Sequence, residues 1–197
     1  MKKAIAFFDF DGTLTTKDSL LEFIKYSKGT LAFYSGFILN IHYLFAYTLK
    51  IITNQKAKEK IISHFFAGMS SVEFQELCSR FSKEKIPQLI RSGAWLEIKK
   101  LQQNEVKIVI VSASPENWIQ DWATEINADL IATKLIQTDN IITGEIDGIN
   151  CHGQEKVIRI KEKYILENYN EILAYGDSSG DKPMLALAHK GYMKPFR

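Results

Sequence analysis

Three short apolar runs along the chain are each closed by a polar turn. Residues 3–8 run into Asp9, residues 106–111 (VKIVIV) run into Ser112, and residues 172–175 (ILAY) run into Gly176 and Asp177. Compact apolar runs of this length, rich in β-branched residues, are the pattern of strands buried on both faces. Between and beyond them, apolar residues recur at helical spacing over 96–104, 115–126, 158–167 and 183–189. Strands alternating with helices predict βαβ units and a parallel sheet, so the expected class is α/β, a Rossmann-like parallel sheet with helices on both faces.

Two regions break the alternation. Residues 17–90 contain no strand pattern but helical ones over 19–26, 31–52, 56–66 and 72–84, which predicts an all-helical insert after the first strand. Residues 132–150 alternate polar and apolar positions around Asp-Asn and Gly turns, which predicts a small β-hairpin. The expected organisation is an α/β core formed by residues 1–16 and 91–197, interrupted by a helical segment at 17–90.

Composition narrows the classes. With 197 residues, 46% of them apolar and 24% charged, the chain has the makeup of one globular unit, not of a disordered or collagen-like protein. A net charge of +2 without any polybasic run argues against a nucleic-acid partner. Cys78 and Cys151 are far apart and outside any C-x-x-C pattern, so no disulfide framework or zinc knuckle is expected, and a reducing cytoplasm fits. The basic start at Lys2 and Lys3 resembles a signal peptide, but Asp9 and Asp11 interrupt the apolar run that follows after five residues.

The chemistry sits at the ends of the apolar runs. In FFDFDGTLT (residues 7–15), Asp9 and Asp11 project the same way if the chain is still extended, and two such carboxylates repel unless a cation or a shared proton compensates. Gly12 permits close backbone approach to a ligand. Ser112 in VSASP follows the second strand; Ser114 is the better placed N-cap for the helix after Pro115, which leaves Ser112 free. In YGDSSGD, Asp177 follows the third strand and Asp181 lies four residues on. Taken singly, each has a plain reading: an Asp-Gly turn, a helix cap, a surface turn, and for Lys156 a solvated helix lysine. Jointly they do not, because ligands of open α/β sheets bind at the carboxyl ends of the strands. Asp9, Asp11, Asp177 and Asp181 gathered there demand a hard divalent cation of the Mg²⁺ type, which prefers oxygen ligands. With that ion and Lys156 balancing the charge, a phosphate dianion can approach Ser112 and the backbone N–H groups near Gly12.

The segments DFDGT, VSAS, the lone Lys156 and GDSSGD, in that order, resemble the four motifs of the haloacid dehalogenase-like superfamily. The helical insert between the first two resembles the C1-type cap of its phosphoserine phosphatase-like branch, subfamily IB. The resemblance implies Asp9 as nucleophile and Asp11 as general acid/base. It implies a phosphoryl group held by Gly12, Ser112, Ala113 and Lys156. A Mg²⁺ site would be formed by Asp9, the Asp11 backbone carbonyl and Asp177, supported by Asp181. The implied enzyme is a Mg²⁺-dependent phosphatase that hydrolyses a small organic phosphomonoester through an aspartyl-phosphate. Two other classes share parts of this site. A phosphotransferase or mutase differs only in the acceptor, and a receiver-like phospho-acceptor module has no use for Asp11 or for a large helical insert. Neither a P-loop nor a G-x-G-x-x-G motif occurs.

The insert departs from its phosphoserine-specific relatives. They carry a cap arginine for the substrate carboxylate, whereas the first arginine here is Arg80. Asp18 stands nine residues after Asp9, where those relatives have a glutamate contacting the substrate amine, and is the candidate substrate contact. Residues 31–52 carry Phe33, Tyr34, Phe37, Tyr43, Phe45 and Tyr47 on a helix apolar almost all round, and residues 31–49 include nineteen positions without a formal charge, close to a bilayer span. Ser35, Asn40, His42 and Thr48 weaken that reading, and a span would separate Asp9 from Ser112, Lys156 and Asp177. No transmembrane segment is therefore expected; cap core, substrate pocket, dimer face and peripheral membrane contact stay open for this helix. The four histidines show no i, i+4 ligand pairing; His152 draws attention only by lying four residues before Lys156.

Overall fold

A computed structural model describes residues 3–197. Strands β1 (Ala4–Phe8), β2 (Lys107–Pro115), β3 (Asp129–Thr133), β6 (Glu171–Gly176) and β7 (Lys190–Met193) form one parallel sheet in the order β3-β2-β1-β6-β7. Alternate residues face opposite layers. Ala6, Phe8, Ile110 and Tyr175 join a large core with the helical insert, while Ile5, Phe7, Val109 and Ala174 pack with Ile160 of α8 (Gln154–Lys163) and Met184 of α9 (Lys182–Leu187). Burial on both faces is the physical reason the strands read as continuous apolar runs.

Between β1 and β2 lie α1 (Ser19–Leu39), α2 (Ile41–Thr48), α3 (Asn54–Phe66), α4 (Ser71–Glu84), α5 (Ile86–Leu89) and α6 (Ser92–Gln103). Phe23 of α1 is fully buried and packs against Phe66, Phe74, Phe81 and Trp118, so the insert has an aromatic centre that reaches onto the core. The predicted hairpin forms from β4 (Leu135–Thr138) and β5 (Ile141–Ile146), with Asp139 and Asn140 at positive φ in its turn, and it packs on α3.

Several expectations are corrected. The apolar stretch 31–52 is not one helix: Asn40 separates α1 from α2, its side-chain amide donating to the Gly36 carbonyl at 2.8 Å, while Gly29 (φ 81°, ψ 165°) kinks α1 between the helices expected over 19–26 and 31–52. Among the described residues, no helix is long and apolar enough to cross a membrane. Strand β2 continues past Ser112 to Pro115, with a register shift against β3. Ser114 therefore caps no helix. The segment after Pro115 is a single 3₁₀ turn (Glu116–Trp118) followed by α7 (Gln120–Glu125). Helix α8 starts at Gln154, four residues before the expected boundary, which sets Lys156 in its first turn. Strands β3 and β7 were not expected; β7 is exposed throughout and lacks the apolar signal of a buried strand.

Candidate active site

Register brings the candidates to one level. Phe8 pairs with Ile110 of β2 and with Tyr175 of β6, so one to two residues further on lie Asp9, Ser112 and Asp177, at the carboxyl ends of three adjacent strands. Strands β2 and β6 flank β1 on opposite sides, and such a reversal of strand order opens a crevice for ligands. The chain leaves β1 through a tight turn over Phe10–Leu14 with Gly12 at φ 82°. A Cβ on Gly12 would lie 2.5 Å from Asp177 Oδ2, so both the backbone shape and the close approach require glycine. Gly12→Ala is expected to cost about 1–2 kcal/mol in backbone strain and to push Asp177 aside, read as a lower melting temperature together with weaker divalent-cation binding.

Asp9 is 7% exposed. Its Oδ1 accepts from Lys156 Nζ at 2.6 Å and its Oδ2 from the Thr13 hydroxyl at 2.8 Å. Lys156, 1% exposed, also donates to Asp181 Oδ1 at 2.7 Å, which overturns the plain reading of a solvated helix lysine. Asp181 Oδ2 accepts from the backbone N–H groups of Asp177 and Ser178 and from the Ser178 hydroxyl, and so pins the turn that carries Asp177. Asp177 itself pairs with Arg197. One oxygen from each of Asp9, Asp177 and Asp181 lies within 4.8 Å of the others, a hard, all-oxygen donor set of the kind Mg²⁺ takes.

The electrostatics follow from burial. Desolvation is the largest influence on Asp9 and, with the charge of Asp181, raises its pKa despite Lys156. For Asp181, burial acts upward, but the Lys156 ammonium and the Ser178 hydrogen bonds outweigh it and hold the carboxyl low. Burial works against the charge on Lys156, yet its two carboxylate partners hold it well above the ordinary lysine range. A cation among the three carboxylates would favour ionised Asp9.

Asp11 faces a different neighbourhood. Its Oδ1 accepts from Ser19 N at 2.6 Å and its Oδ2 from the Ser114 hydroxyl at 2.5 Å. Behind Ser114 stands Ser19 Oγ at 3.2 Å, which accepts from the Trp118 indole N–H at 3.1 Å. Burial, then the charge of Asp18, pushes Asp11 up to about 7, against the hydrogen bonds from Ser114 and Ser19. Ser112 is 1% exposed, and its hydroxyl accepts the Ser114 backbone N–H at 3.0 Å. The Ala113 carbonyl accepts from Lys58 Nζ at 2.8 Å and from Thr133 Oγ1 at 2.8 Å. Asp18 caps α1, accepting from Leu21 N at 3.0 Å in an exposed position.

Sequence reasoning missed Ser19, Ser114 and Lys58. Lys58 reaches from α3 over the end of β2 and also donates to Asn150 Oδ1 at 3.3 Å. Nothing in KAKEK distinguishes it from its solvated neighbours; only the docking of α3 does. Ser114 was visible as a polar residue beside Ser112, but its role depends on β2 continuing through it.

The chain is similar in sequence and fold to known proteins. A family model described as haloacid dehalogenase-like hydrolase matches residues 6–186. Protein CicA of Caulobacter vibrioides is 36% identical over 188 residues, covering 94% of this chain and 83% of CicA. Among solved structures, a protein with unknown function from Bordetella pertussis Tohama I superposes with a TM-score of 0.82 at 22% identity, covering 95% of this chain and 88% of that one. A phospho-aspartyl intermediate analogue of phosphoserine phosphatase superposes with a TM-score of 0.67 at 19% identity, covering 95% and 84%.

Proposed function

The chain belongs to the haloacid dehalogenase-like hydrolase family, and from that footing we propose that it is a phosphatase that hydrolyses a small organic phosphomonoester through an aspartyl-phosphate on Asp9. The observation that carries this reading is the pairing of two carboxylates two residues apart in opposite settings. Asp9 is held by Lys156 and Thr13, whereas Asp11 is turned toward Ser19 and Ser114 with a pKa near neutral. Phosphoryl transfer of this kind needs a nucleophile, a proton carrier and charge neutralisation, and the site supplies a group for each.

In the proposed reaction, Asp9 attacks phosphorus, the bond to the leaving oxygen breaks, and Asp11 gives that oxygen its proton. Asp11, then ionised, takes a proton from the water that attacks the aspartyl-phosphate, which releases phosphate and restores Asp9. Lys156 balances charge on the phosphoryl oxygens, Ser112 offers a hydroxyl, and backbone N–H groups near Gly12 and Ala113 complete the cradle. Asp9, Asp177 and the Asp11 carbonyl would hold Mg²⁺, with Asp181 as support. When bound, the ion supplies Lewis-acid polarisation of the phosphoryl group. Residues 17–90 act in this reading as a cap that selects the leaving group, with Ser19 bonded to Asp11, Lys58 reaching the Ala113 carbonyl and Asp18 the candidate substrate contact. The buried free thiols of Cys78 and Cys151 suit a cytoplasmic enzyme.

The test is a panel of phosphorylated metabolites assayed for phosphate release with Mg²⁺ and with chelator. Mg²⁺-dependent release from at least one member is expected, and no release from any would overturn the reading. Adding competing alcohols separates hydrolysis from transfer, because a transferase would yield new phosphate esters. Asp11→Asn is expected to lower turnover by about 10²–10⁴-fold, the usual contribution of a general acid/base, and to leave phosphate trapped on the protein. Wild-type rates in that variant would remove Asp11 from its role.

A further inference from the structure

Helices α1 and α2 present an outward face that the fold leaves uncovered. Leu31, Tyr34 and Ile38 follow one another at helical steps along α1, as Ile41 and Phe45 do along α2, and Leu31 is 89%, Ile38 68%, Ile41 62% and Phe45 64% exposed. The inward face is already satisfied. Phe33 and Gly36 are buried, Phe37 packs on Phe65 of α3, and a Cβ on Gly36 would lie 2.2 Å from the Phe65 ring. The outer stripe therefore contributes nothing to the core, and this many exposed large apolar side chains on neighbouring helices mark an interaction site.

Lysines border the stripe: among the described residues, Lys28, Lys50 and Lys60 form no salt bridge, whereas Lys25 and Lys56 pair with Glu22 and Glu59 and Lys58 turns away to the Ala113 carbonyl. Lys25 Nζ lies 4.7 Å from the Phe33 ring centroid, Lys60 Nζ lies 5.5 Å from that of Tyr43, and exposed Lys50 stands between the exposed Leu49 and Ile51. Tyr34 and Tyr47 are 57% and 41% exposed, each an apolar ring with a polar tip. A second copy seated on this face through a twofold axis would set lysines against lysines. An anionic bilayer surface matches it instead: apolar side chains enter the acyl boundary, tyrosines sit at headgroup level, and lysines reach the lipid phosphates.

We propose that the outer face of α1 and α2 docks the protein on membranes rich in anionic lipid, as a peripheral contact and not a span. This goes beyond the proposed phosphatase reaction and does not depend on it. The test is sedimentation of the full chain with phosphatidylcholine vesicles, with and without phosphatidylglycerol. Binding to the phosphatidylglycerol vesicles alone is expected, with partitioning about fivefold weaker for Lys50→Ala and abolished by Phe45→Glu, both without change in melting temperature. Because Phe45 and Lys50 are exposed, neither substitution disturbs the core; Ile38→Ser serves as a second apolar variant with the same expected loss. No binding to anionic vesicles, equal binding to neutral ones, or retention by Phe45→Glu would overturn the proposal. So would a dimer in light scattering that Phe45→Glu dissolves, which would assign the face to a second copy.

Discussion

Asp9→Asn is expected to abolish phosphate release, by at least about 10⁴-fold in turnover, while leaving the fold intact. The carboxylate is the attacking group in the proposed reaction, and an amide of nearly the same shape cannot form the aspartyl-phosphate. The asparagine can still accept from Lys156 through Oδ1, its amide nitrogen can donate to a reoriented Thr13 hydroxyl, and removing one of two neighbouring buried carboxylates relieves the repulsion between Asp9 and Asp181. Circular dichroism and thermal melting should therefore match the parent closely while the chemistry disappears. Residual turnover above a few per cent, with mass spectrometry excluding deamidation, would show that Asp9 is not the nucleophile.

Lys156→Met should act on both stability and chemistry. The substitution keeps the volume but strips the charge from between Asp9 and Asp181, which hold the ammonium at 2.6 and 2.7 Å in a site where Lys156 is 1% exposed. Breaking a buried ion pair by deleting one partner typically costs about 3–5 kcal/mol, because the other charge stays buried without compensation. The sign with pH follows. In the parent, Asp181 has a depressed pKa, so its stabilisation is present above the unfolded carboxylate range and lost as pH falls through the folded value. Asp9, already raised in the parent, contributes the other way; without the lysine the folded pKa values of both carboxyls move up, Asp181 joins Asp9, and the variant should lose more stability than the parent as pH rises through them. Mg²⁺ should recover part of the loss if the three carboxylates form its site. Denaturant melts between pH 4 and pH 8, with and without Mg²⁺, check each point, and identical slopes in parent and variant would show that Lys156 is not what neutralises the pair.

How far the site was legible depends on the kind of signal. Asp9, Asp177 and Ser112 could be read because each closes the apolar run of a strand buried on both faces, although β2 itself runs on past Ser112 to Pro115. Lys156 could be placed only through the order of motifs, since a buried helix lysine and a solvated one look alike in sequence. The Ser19–Ser114–Asp11 contacts were out of reach because they join a residue of the insert to one past the expected end of β2, and local patterns carry no distances between segments. The long apolar stretch misled for a related reason. Periodicity counted apolar positions across Asn40 without registering that an asparagine bonding back to a carbonyl ends the helix there.

By itself, the order of apolar runs and polar stops determined the parallel α/β class, the helical insert and the carboxylates at the strand ends, because strand burial and turn chemistry are local demands written residue by residue. The tertiary structure alone decided which ionisable groups share a charge, where the helices of the insert break and dock, and which of their apolar faces is left uncovered. Those outcomes depend on desolvation and on contacts between segments more than a hundred residues apart, such as Lys156 on Asp9, and no local pattern encodes them.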